Sequence, residues 1–138
     1  MTAQRLATAL LDGGEDPKAF LRRVAPRLRM PSATEVEYDL SAEPEDMDPR
    51  REGFDEQALD FILGQLRRGN LWGWCSVCVE AKYTTEDGEE VAGRDYLGGC
   101  SYRSRQDFIE NSGYYDDMKV EAYNDLCHAL EKLGYRKV

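Results

Sequence analysis

The chain has 138 residues, 41% hydrophobic and 33% charged, with a formal net charge of −9. That length fits one domain, and that balance belongs to globular chains rather than disordered ones. No apolar run approaches the roughly 20 residues of a membrane-spanning helix, and a surplus of carboxylates disfavours direct binding to a phosphate backbone, which needs a basic footprint.

Met1–Arg5 lacks the apolar core of an export signal, so the expected location is the cytoplasm, with the four cysteines as reduced thiols. Thr2–Leu11 reads as a short helix with Ala3, Leu6, Ala7 and Leu10 on one face, ended by Asp12-Gly13-Gly14. Asp16-Pro17 resembles a helix start, and Phe20, Leu21, Val24 and Leu28 continue a helical stripe that Pro26 should kink. Residues 1–30 are thus expected to be a helical extension of a single domain. Residues 31–53 follow as an acidic, proline-containing loop, in which residues 35–40 alternate apolar and polar as a short third strand would. The charge concentrates here. Residues 34–60 hold eleven acidic and two basic side chains, a net −9 equal to the excess of the whole chain.

The core is expected over residues 54–134. Asp55 is the N-cap of a helix to Arg68, preceded by Phe54 as a staple onto Leu59 and closed by Gly69. Ala58, Leu59, Ile62 and Leu66 form its apolar stripe. From Leu71 to Tyr83 the period switches to two, with Cys75, Val77, Val79 and Ala81 on one face and Trp72, Trp74, Ser76, Cys78, Glu80 and Lys82 on the other. Asp87-Gly88 turns the chain into a second strand over 91–102, where Gly98-Gly99 permits a bulge. Ser104 and Asp107 form a weak capping box. Residues 114–133 carry Met118, Ala122, Leu126, Ala129 and Leu133 at helical spacing. The expected fold is therefore α+β: a small antiparallel sheet packed on helices 55–68 and 114–133, plus the N-terminal helical segment.

Reactive centres are scarce. Cys75 and Cys78 have metal-knuckle spacing, but residues three apart in a strand point to opposite faces, so no metal or cofactor is expected. His128, the single histidine, adjoins Cys127 on a helix, where neighbours diverge by about 100°. No phosphate-binding loop, dinucleotide fingerprint or nucleophile elbow occurs. An enzyme would have to use a carboxylate pair or a Cys/His site, and the expectation is that the protein is not one.

Two features point to binding instead. Glu43, Glu45, Asp46, Asp48, Glu52, Asp55 and Glu56 form either a solvated surface or a carboxylate array suited to a basic partner surface. Trp72 and Trp74 are either interface anchors, and then a possible homodimer seam, or are buried by the N-terminal helices.

Three blocks in order carry a resemblance: Leu71-Trp72-Gly73-Trp74-Cys75-Ser76-Val77, then Asp95-Tyr96-Leu97-Gly98-Gly99-Cys100-Ser101-Tyr102, then Phe108 with Gly113-Tyr114-Tyr115-Asp116-Asp117-Met118 and Glu121-Ala122. Over residues 45–130 the chain resembles a family of small uncharacterised proteins that recur in bacteriophage and prophage genomes. The resemblance implies a phage habitat in a host cytoplasm. By analogy with other small acidic phage proteins, it suggests inhibition of a host complex, such as a CRISPR or other nucleic-acid-binding defence complex, by nucleic-acid mimicry. A self-associating phage structural or accessory protein is the alternative.

Overall fold

The computed structural model describes residues 28–137. Three strands, β1 (Glu37–Pro44), β2 (Cys75–Thr84) and β3 (Glu90–Cys100), form one antiparallel sheet in the order β1-β2-β3. The helices are α1 (Glu56–Arg67), α2 (Arg105–Asn111) and α3 (Tyr115–Lys132), with short 3-10 turns at Pro49–Arg51 and Leu71–Gly73. The α+β expectation holds. No helix among the described residues is long and apolar enough to cross a membrane. The expected N-terminal helices lie almost wholly outside the described residues; at the end of that span Arg29 is not helical but bridges Arg136 in parallel, with Met30 N–H donating to Arg136 O at 2.8 Å.

The alternation of β2 decides the layering. Cys75, Val77, Val79 and Ala81 are fully buried on one face, while Ser76, Cys78, Glu80 and Lys82 are half-buried on the other. Helix α3 covers the apolar face, lying against β2 and β3 through Met118, Ala122, Leu126 and Leu130. It comes so close to β3 that a Cβ on Gly93 would stand 2.1 Å from Leu126 N and 2.5 Å from Ala122 O. Only a residue with no side chain permits this contact.

Helix α1 does not join α3 on the sheet, as the sequence led us to expect. It packs on the Leu71–Gly73 turn at the end of β2. Gln65 leans over Gly73, and Asn70 Nδ2 binds both Gln65 Oε1 and Arg103 O at 2.9 Å. The polar face of the sheet is consequently left without a covering helix among the described residues. Glu37, Lys82 and Ala92 share a row across it, followed by Asp39, Glu80 and Arg94, then Ser41, Cys78 and Tyr96.

Candidate functional site

The acidic segment is less of a loop than its composition suggests. Ser41–Pro44 belongs to β1, so Glu43 is a strand residue on the open face, opposite Ser76. Charged side chains suit such an edge strand, where they face water and discourage unwanted pairing. The residues after Pro44 are then held in place by contacts of Glu45, Trp74, Asp48 and Asp55.

Glu45 reaches the bulge on β3, where register shifts opposite Cys75–Val77, and its Oε1 accepts from Gly99 N–H at 2.7 Å. Gly99 has φ +65°, a left-handed backbone that suits glycine. Trp74 Nε1–H donates to Met47 O at 2.7 Å, and the Trp74 ring takes the Phe54 ring edge-on at 5.6 Å. Asp48 caps the Pro49–Arg51 turn through Arg50 N–H and is held bidentate by the Arg50 guanidinium. That hydrogen-bonded guanidinium lowers the Asp48 carboxyl to about 2. Asp55, as expected, caps α1 by accepting from Ala58 N–H at 2.7 Å. Phe54 meets the Trp74 ring edge-on.

The seven candidate carboxylates therefore divide. Glu45, Asp48 and Asp55 hold the backbone in place, and Asp48 is neutralised locally by Arg50. Glu43, Asp46, Glu52 and Glu56 are exposed, and none has an ion-pair partner among the described residues. The structure thus presents four acids from a scaffold fixed by the other three, rather than one continuous array of seven.

The tryptophans are corrected. Leu71–Gly73 is a turn capped by the Asn70 side chain, not the start of the strand, so Trp72 and Trp74 are not side by side on an exposed face. Trp74 is 4% exposed. Trp72 is half-buried against Phe108, with ring centroids 6.0 Å apart. Trp74 is therefore not an exposed anchor. Among the described residues, Met47 and Phe54 meet Trp74, and Phe108 meets Trp72.

Two surface features escaped the sequence reading. Tyr96 stands 65% exposed on the open sheet face, directly across from Cys78. The sequence gives little signal for this, since Arg94-Asp95-Tyr96-Leu97 does not alternate polar with apolar. The second feature is a groove of about 760 Å³ between β1 and α3, lined by Val36, Tyr38, Val120 and Tyr123 with Asp116 and Lys119. Val120 is more than half exposed there, whereas Tyr123 Oη–H donates to Pro31 O at 2.7 Å. Burial is the main influence raising that phenol to about 12.

The cysteines do not converge on a metal, and no group of three or more metal-ligating side chains occurs among the described residues. Cys75 and Cys100 are opposite neighbours on β2 and β3, both buried. Burial pushes their thiols up, to about 12 for Cys75 and about 11 for Cys100. Thiolate is the reactive form, so these two stay inert at neutral pH. In a thiol titration with an aromatic disulfide reagent at about pH 8, Cys75 and Cys100 are expected to react only after denaturant is added. Fast labelling of either in the native protein would show that the sheet opens there. His128 is exposed, with Nδ1 3.8 Å from Glu131, and stands apart from these thiols. No family model, no curated protein and no solved structure matches this chain.

Proposed function

We propose that this protein works by binding, as a phage-type inhibitor that presents carboxylates to the basic surface of a host protein complex, in the manner of a nucleic-acid mimic. The observation that carries this reading is the pinned acidic segment. Bonds from Glu45, Trp74, Asp48 and Asp55 fix its backbone, while Glu43, Asp46, Glu52 and Glu56 project into solvent. Charges held on an ordered backbone lose less freedom on binding than charges on a mobile loop. The wider field has the same sign. Residues 1–27 hold five basic and three acidic side chains, so their +2 leaves −11 on residues 28–138. Such a field raises encounter rates with a cationic surface, and does so most strongly at low salt.

A host DNA-binding defence complex, such as a CRISPR surveillance complex, is the class of target to try first. Its DNA binding should be competed by the protein, and the competition should weaken as ionic strength rises. Replacing Glu43, Asp46, Glu52 and Glu56 together by lysine should cut inhibition by at least about tenfold. The far-UV spectrum should stay close to native, because none of the four side chains bonds to another described residue and only Glu56, in the first turn of α1, acts on a helix dipole. Undiminished inhibition by this variant would refute the reading.

A further inference from the structure

Building on the binding function just proposed, we infer that the outward edge of β1, unpaired among the described residues, and the groove beside it form a strand-addition site for an extended partner segment in which cationic and apolar residues alternate. Three observations converge on this site.

The first is the edge itself. β1 is the outermost strand of the sheet, eight residues long. Glu45 N–H donates to Trp74 O, and on the far side of the sheet Arg94 N–H turns away from β2 to Asp125 Oδ2. Antiparallel ladders alternate, so these two bonds fix the phase. Glu37, Asp39, Ser41 and Glu43 direct their backbone groups toward β2, and Tyr38, Leu40 and Ala42 direct theirs outward. Among the described residues nothing bonds to those three outward amides. On the opposite edge, Asp125 of α3 accepts from one outward amide, that of Arg94.

The second is the charge pattern. The side chains of β1 on the open face are Glu37, Asp39, Ser41 and Glu43. An incoming strand would place every second residue beside this row, and lysine or arginine is the chemistry that pairs with it. A second copy of this chain would instead set its own acids against these. The third is the groove. On the other face of the same strand, Tyr38 borders the 760 Å³ space closed by Val120 and Tyr123. The intervening residues of the incoming segment, being apolar, would fill it. Main-chain bonds supply affinity in such additions, and alternate side chains supply specificity.

The probe is a synthetic peptide of about seven residues alternating lysine and valine, with a glutamate–valine peptide as its control. It is added to the full chain and followed by calorimetry and by amide exchange. Saturating lysine–valine peptide should protect the amides of Tyr38, Leu40 and Ala42, and the control should not. Ala42→Pro deletes one outward donor without touching the ladder to β2 and should weaken binding at least tenfold. The triple change Glu37→Lys, Asp39→Lys and Glu43→Lys should reverse the preference toward the glutamate–valine peptide.

Binding that Ala42→Pro leaves intact would overturn the proposal. So would amides already protected in the free monomer, meaning that residues 1–27 cover the edge, or protected only as protein concentration rises, meaning that a second copy does. The two readings fail separately. If Ala42→Pro inhibits the host complex as well as the native chain while the four-lysine variant does not, strand addition fails and the acidic-surface reading stands. If both variants inhibit normally, the acidic-surface reading fails as well.

Discussion

Replacing Gly93 by valine should prevent this protein from reaching its native packing, with a loss of about 3 kcal/mol or more and a melting temperature lower by roughly 10 °C. The cause is backbone against backbone. The added Cβ would lie 2.1 Å from Leu126 N, 2.5 Å from Ala122 O and 2.6 Å from Leu126 Cα. A flexible side chain could swing aside, but here helix α3 itself would have to lift off the sheet. Lifting it would uncover Val77, Val79 and Ala81, which are fully buried beneath it. Even alanine supplies the offending atom, so Gly93→Ala should be nearly as damaging. Gly88, in the hairpin loop, is a useful contrast, because a Cβ there meets nothing within 4 Å. Its φ of +84° makes substitution strained, but the cost should stay near 1 kcal/mol. Thermal melts of the three variants test the ranking, and a Gly93→Ala protein that melts with the native one would show that α3 does not approach β3 this closely.

Phe108→Ala is the second large effect, expected at about 3–5 kcal/mol. Phe108 is fully buried, and three aromatic rings surround it. Tyr102 meets it edge-on at 5.1 Å, Trp72 lies tilted at 6.0 Å and Tyr115 stands at 6.4 Å. These come from the segment just after β3, the turn before β2 and the start of α3, so one ring joins three separate parts of the chain. Its removal leaves a cavity that stiff neighbouring rings fill poorly. Phe108→Leu should retain most of the stability. Denaturant unfolding followed by tryptophan fluorescence reports directly, since Trp72 is in the cluster. Equal midpoints for the alanine and native proteins would disprove the role.

Strong periodicity made most of the fold legible. The two-residue alternation of Cys75–Ala81 and the helical spacing of Met118, Ala122 and Leu126 both survive as the packed face of β2 and of α3. Caps were equally readable, because Asp55 and Ser104 each accept a specific backbone donor three residues on. The errors arose where one pattern imitates another. Leu71-Trp72-Gly73-Trp74 alternates like a strand, yet Asn70 accepts from Trp72 N–H and bends those residues into a turn. Acidity suggested a loop through Ser41–Pro44, although an edge strand accommodates the same residues. The candidate site was legible as a list of carboxylates but not as a division of labour. Whether Glu45 holds Gly99 or faces water depends on a contact 54 residues away in sequence. No local pattern encodes such a contact.

The two ends of the described body are stitched together: Arg136 N–H donates to Leu28 O at 3.0 Å, and Met30 N–H to Arg136 O at 2.8 Å. These partners are roughly a hundred residues apart, so bringing them together carries the entropy of closing a loop of that length. Neither bond can form until Arg136 is present and folded back beside Leu28 and Met30. Loss of Arg136 would release both Leu28 O and Met30 N–H at once, so damage on one side of the seam is felt directly on the other.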